Sequence, residues 1–216
     1  MKWLTAGSVW LVLCASAHAQ SLEMKRAALS EMVGTLYTKA SPNFADGKLD
    51  GCIVEYGAFI RDWTYNRGDK FVQVGGSFGL LGSGKFGAFL KVVFVDVDVK
   101  TLERRPNAPA QAAFVFGNST NQASALGTYK SDIPGGLFVV FPPMPTLGEL
   151  INQLEKGEVT LAVARERGGS AILVPIDTTV EETLPGDFQK KRSNRSFMEF
   201  LNCSREYVNN MQARAR

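Results

Sequence analysis

Between residues 85 and 102 the chain reads KFGAFLKVVFVDVDVKTL. So dense a run of β-branched and aromatic residues favours extended backbone over helix. Its second half alternates. Val93, Val95 and Val97 fall on one side of a strand, and Phe94, Asp96 and Asp98 on the other. Segments of the same texture recur at 52–66 (CIVEYGAFIRDWTYN, with Gly57 as an internal break), 70–81 (KFVQVGGSFGLL), 112–118 (AAFVFGN) and 137–143 (LFVVFPP, stopped by its prolines). A hairpin is expected over 158–180. There Val159, Leu161 and Val163 alternate, Arg167-Gly168-Gly169 turns, and Pro175 marks the return strand as an edge or a bulge. Strands at this spacing predict a mainly β, α+β protein: an antiparallel β-sandwich or open barrel with peripheral helices.

Three helices are expected. Residues 22–38 place Leu22, Leu29, Met32, Val33 and Leu36 near one face. Thr146 and Glu149 form a capping box before a stripe of Leu147, Leu150, Ile151 and Leu154, and Gly157 closes that helix. Ser196 and Glu199 form a second capping box, opening a helix that buries Phe197, Phe200, Leu201 and Tyr207 and carries Cys203. The stretches 40–51, 103–111, 119–136 and 181–195 read as loops, and Arg67-Gly68-Asp69 as a hairpin turn.

The first nineteen residues have the three parts of a secretory signal: Lys2, an apolar run, and Ala17-His18-Ala19 before Gln20. The run is too short for a membrane span. Leu13 before Cys14 argues against lipidation, which leaves a soluble exported protein. The form of the signal is that of a Gram-negative bacterium, so the expected location is periplasmic or secreted. The implied organisation is a signal peptide at 1–19, an N-terminal helical segment at 20–41 and a single β-rich domain at 42–212.

Cleavage there changes the available chemistry. His18 is the one histidine of the chain, so residues 20–216 contain none. Ser-His-Asp and Cys-His catalysis, and histidine-ligated metals, are thereby excluded from the exported form. Cys14 also leaves. Cys52 and Cys203 remain, and in an oxidising compartment they read as a disulfide tying the start of the core to the last helix. The formal charge of +3 drops by one with Lys2. That is too small to argue for nucleic acid.

Several motifs need weighing. Gly79, Gly84 and Lys85 match a phosphate-binding loop, but Phe86 stands where Ser or Thr must bind magnesium, and a strand rather than a helix follows. A nucleotide partner and a cofactor are therefore not expected. Gly75-Gly76-Ser77-Phe78-Gly79 spells a nucleophile elbow without a histidine to serve it, and Lys85 or Lys91 are the remaining bases for Ser77. Asp46 and Asp50 lack calcium-loop spacing, and no resident metal is expected. Asp96 and Asp98, with Glu55 or Asp62, form a candidate acidic site for a cation or a glycosidase pair. The competing reading is a solvated sheet face. Trp63, Tyr65, Arg67 and Lys85 form a candidate binding surface, in a region also rich in Phe71, Phe78, Phe86 and Phe89.

The layout resembles the invasion-associated locus B family of small exported bacterial proteins. The likeness rests on the leader, the β-rich middle, the GGSAILVPID strand and a terminal helix with a cysteine in FMEFLNC. The chain departs from that family in having fewer cysteines and a different ending. The resemblance implies an envelope protein without known catalysis. The expected function is a non-catalytic periplasmic binding or accessory module, with an envelope protein, glycan or lipid as partner. The alternative is a histidine-free carboxylate hydrolase acting on envelope glycans.

Overall fold

The computed structural model describes residues 21–82, 87–184 and 188–214. The expected signal peptide and residues 83–86 of the loop-like motif, Lys85 among them, lie outside the described residues. In chain order the elements are α1 (21–31), β1 (Gly34–Ala45), β2 (Lys48–Arg61), α2 (Trp63–Asn66), β3 (Phe71–Leu81), β4 (Gly87–Val97), β5 (Arg104–Pro106), β6 (Gln111–Phe116), β7 (Ser119–Thr120), a 3-10 turn (Gln122–Ser124) and β8 (Gly127–Lys130). They continue with β9 (Gly136–Phe141), α3 (Pro143–Glu155), β10 (Glu158–Ala164), β11 (Ala171–Asp177), β12 (Val180–Thr183), β13 (Lys190–Arg192) and α4 (Arg195–Arg214).

Every strand pairing is antiparallel among the described residues. The large sheet runs β1-β2-β3-β4-β9-β8, with β5 taking over from β9 along β4. A second sheet runs β11-β10-β6-β7, and β12-β13 is a separate hairpin. The two sheets face each other with helices outside them, as the strand spacing predicts.

Alternation decides what lies between the sheets. Val54, Tyr56, Val74, Phe78, Leu90, Val92 and Phe94 of the large sheet share one core with Phe114, Leu161, Val163, Val174 and Ile176 of the small one. Phe114 makes the closest aromatic contacts across the gap, edge-on to Phe78 (5.9 Å) and tilted against Phe141 (5.5 Å). The opposite face of the large sheet is apolar at one end as well. There α1 and the turn after it lay Leu22, Leu29 and Met32 over Phe59, Phe71 and Val97. This second burial explains why Val97, read from the sequence as one side of a strand, is not solvated.

Five expectations on local structure are corrected. The first helix ends at residue 31, and Gly34, at φ +121°, begins β1, so residues 34–41 belong to the β domain. Residues 40–51 are no loop. Asp46 and Gly47 both have positive φ and make a tight hairpin between β1 and β2, the signature that an Asp-Gly pair carries. Residues 119–136 contain β7 and β8, and 181–195 contain most of the β12–β13 hairpin, where Glu182 stands opposite Lys191. Finally, Gly57 does not break β2. It lets the Tyr37 ring lie flat on the strand, since a Cβ there would fall 2.4 Å from that ring.

Neither capping box forms as drawn. The N-cap of α3 is Pro142, with no side-chain cap bond. In α4 the Ser196 hydroxyl donates to the Thr38 carbonyl of β1 (3.2 Å), while Glu199 takes the Arg195 guanidinium (2.7 Å). The stripes survive: Leu150 and Leu154 are buried, as are Phe200 and Tyr207, with Phe197 packed beside them. Leu201 is half-buried. Pro175 sits on an edge strand, as expected.

Cys52 and Cys203 form the expected disulfide, joining β2 to α4 across 151 positions. A closure that long stabilises by up to about 5 kcal/mol in the chain-entropy description. The double variant Cys52→Ala/Cys203→Ala is expected to lose roughly 2–5 kcal/mol in urea melts while keeping its far-UV spectrum. Asp177 supplies a pH dependence. Burial opposes its charge, but hydrogen bonds from Thr179 and Arg192 outweigh this and hold its pKa below the usual carboxylate range. A lowered folded pKa means stability that is present above the ordinary carboxylate pKa and lost as pH falls through the folded one. The urea midpoint should therefore drop in the acid range, and Asp177→Asn should flatten part of that slope.

Candidate functional site

Two groups read separately from the sequence meet at one place. The last residue before α2 is Asp62, fully buried at 0% exposure. Its carboxylate caps the helical turn, accepting from the Tyr65 amide (2.9 Å) and from Asn66 Nδ2 (2.6 Å). Asp96, near the end of β4, lies on the core-facing side of the large sheet because it keeps the parity of Phe94. From the small sheet, Arg165 enters just beyond β10 with the parity of Val163. Its guanidinium grips Asp96 through two bonds, Nη2 to Oδ1 at 2.7 Å and Nη1 to Oδ2 at 3.2 Å, and reaches Asp62 Oδ2 at 3.2 Å. Asn107 adds a bond to Asp96 (2.9 Å), and the rings of Tyr65 and Phe94 lie 5.8 and 6.0 Å from the guanidinium carbon. Burial works against the Arg165 charge, but Asp96 and Asp62 offset it and its pKa is raised.

The network therefore bridges the sheets and leaves these carboxylates little freedom for proton transfer. Arg165 was not singled out from the sequence. Its signal was there: an arginine and an aspartate, each continuing an inward-facing strand parity on an opposing sheet, must pair or leave the core.

Glu55 and Asp98 do not join. Glu55 stands exposed on the outer face of β2, near Tyr37, whose pKa rises through burial and then through the Glu55 charge. Asp98 caps the turn after β4, and the Thr101 and then the Lys100 amide (2.9 and 2.8 Å) lower its pKa. A shallow cavity of about 280 Å³ lies over Asp96 and Asp98, lined also by Lys70, Glu103, Arg105 and Asn107. Ser77 is in mid-strand, opposite Lys91, and Lys91 donates to Asp132 (2.7 Å). No strand-turn-helix elbow exists there. The glycines around it permit close strand contact: a Cβ at Gly76 would fall 2.0 Å from the Lys91 carbonyl oxygen, and one at Gly79 as close to that of Cys52.

Beside the network, α2 carries Trp63 and Tyr65 of the candidate surface, and Arg67 follows as its C-cap. Trp63 is 64% exposed, yet its indole is held. The Arg61 guanidinium lies 4.6 Å from the ring centroid, and Arg61 Nε donates to the Gly68 carbonyl (2.5 Å). The ring leans on Gly68, where a Cβ would approach it to 2.6 Å. The Tyr65 hydroxyl donates to the Ser170 carbonyl and accepts from the Arg165 amide. Arg67 closes the turn in the left-handed region and is exposed. Among the described residues no cluster of three metal-ligating side chains occurs, and no helix is long and apolar enough to cross a membrane.

No family model matches the chain, and neither a curated protein nor a solved structure matches it.

Removing one partner of a buried ion network strands the others, at a cost of about 3–5 kcal/mol. Arg165→Met should therefore destabilise by roughly that amount. Arg165→Met combined with Asp96→Leu should recover part of the loss in urea melts, because no charge on β4 is then left unpaired.

Proposed function

We propose that the chain is a non-catalytic binding or accessory module of the cell envelope, exported to the periplasm, with the α2 end as a recognition surface. One observation carries the reading. The carboxylates that meet there, Asp62 and Asp96, already accept from Arg165, the Tyr65 amide, Asn66 and Asn107, whereas Trp63 is exposed on a fixed support. A general acid needs a proton to give and room to give it. A recognition surface needs a preorganised aromatic ring with polar neighbours. The disulfide suits an oxidising compartment, the leader suits export, and the resemblance to the invasion-associated locus B family suits an envelope setting. The partner class stays as the sequence framed it: an envelope protein, glycan or lipid.

The test pairs two variants. Trp63→Ala should abolish specific capture of a partner from envelope extracts while leaving the melting curve nearly unchanged, since the indole buries little. Release of reducing sugar ends from envelope glycans by the wild type, lost in Asp96→Asn, would establish the hydrolase instead.

A further inference from the structure

A second recess lies away from α2, between β1 and the β12–β13 hairpin. Its larger part, about 530 Å³, is lined mainly by apolar side chains: Met32, Leu36, Tyr37, Leu184 and Phe188. A smaller part of about 250 Å³ continues toward the start of α4, and Lys39, Glu181 and Glu182 line both. The two form one groove with an apolar end and a charged end, in the size range of small-molecule sites (roughly 300–1,000 Å³).

The walls are fixed. The Thr38 hydroxyl bridges to the Thr178 and Val180 carbonyls (3.1 and 2.9 Å), Thr183 donates to the Thr35 carbonyl (3.3 Å), and the Asp177 amide donates to the Thr35 hydroxyl (2.7 Å). Arg192 ties the hairpin to Asp177. Phe188, on the apolar rim, holds a left-handed φ of +52°, a strain of about 1 kcal/mol that the surrounding structure must over-determine.

These bonds also narrow the occupant. The Thr35 and Thr38 carbonyls of β1 are already taken by Thr183 and Ser196, and further along β1 Pro42 has no amide hydrogen to give. An extended peptide would find few ladder partners on this edge. An apolar chain needs none. At the charged end Glu181 is bound by Lys191 (3.1 Å), and Arg195 by Glu199 (2.7 Å). Lys39 and Glu182 have no ion pair among the described residues, with each other or with any other group. Glu55 stands opposite Lys39 on β2 and Lys191 opposite Glu182 on β13, but neither closes a salt bridge, so the junction of the two ends offers one cation and one anion free to turn to a ligand.

We propose that this groove binds a single-chain zwitterionic phospholipid, with its acyl chain along Leu36, Tyr37, Leu184 and Phe188, its phosphate at Lys39 and its ammonium at Glu182. A fatty acid would set a carboxylate against Glu182, and a cationic amphiphile would face Lys39.

The test uses lysophosphatidylethanolamine below its micellar concentration, titrated into the oxidised protein by calorimetry. Saturable binding is expected, at least tenfold tighter than for a fatty acid of the same chain length. Leu184→Glu, a change at an exposed position, should weaken it tenfold or more with an unchanged melting curve. Lys39→Glu and Glu182→Lys should each weaken it, and the double exchange should restore much of the loss. Trp63→Ala should leave it untouched, which separates this site from the α2 surface. Absence of saturable binding, or equal affinity for the fatty acid, overturns the proposal. So does a concentration-dependent dimer in sedimentation that Leu184→Glu abolishes, since the groove would then hold a second copy.

Discussion

Phe114 is the contact on which the architecture turns. It stands on β6, in the small sheet, and its ring meets Phe78 and Phe141 of the large one. Each sheet has an alternating pattern and so an apolar face that cannot remain in water. Facing the two sheets removes both surfaces at once and fixes their separation by the size of the rings between them. The parity that puts Phe114, Leu161 and Val163 inward then fixes every other position on those strands. Arg165 is carried into the gap by that parity, and Asp96 meets it from the opposing sheet for the same reason. The ion network is a consequence of the packing, closed at its edge by charge where apolar side chains run out.

Burying three charges is expensive, and such a network is weak grounds for stability. Its geometry points to orientation instead. Arg165 touches β4 and the cap of α2 at once. Because Asp62 caps that single helical turn, the guanidinium also determines where Trp63 and Arg67 stand. A turn of four residues has almost no helical stability of its own. Its position is borrowed from the sandwich, which is how a rigid scaffold comes to present a small exposed surface.

Much of the fold was legible in the sequence, because period-two alternation is a local signal with a global meaning. The strands at 71–81 and 87–97, the 158–177 hairpin with Pro175 on its edge, and the Cys52–Cys203 bridge follow from it and from cysteine counting. What was misread was polar. Residues 40–51 look like a loop by composition, yet Asp46-Gly47 is a hairpin turn and the flanking residues are strands whose exposed side chains need not be apolar. The acidic site failed as a unit for a related reason. Asp96 and Asp98 share parity, but the strand ends at Val97, so Asp98 turns away to cap a bend. Arg165 was missed because a single arginine after an apolar strand looks like the strand's end. Only the facing sheet makes it a partner for Asp96.

The same economy shapes the groove beside β1. An edge strand exposes backbone groups that invite pairing, and here the Thr183 and Ser196 hydroxyls donate to two β1 carbonyls while Pro42 removes one donor. Protection of the edge and construction of a cleft are therefore one event. Once Thr38, Thr183 and Ser196 have tied β1 to the hairpin and to α4, the side chains between them cannot collapse to fill the gap. Apolar lining is left beside Lys39 and Glu182, which close no salt bridge among the described residues. A pocket formed in this way is preorganised before any ligand arrives, so the ordering cost that usually consumes much of a binding interaction has already been met by folding.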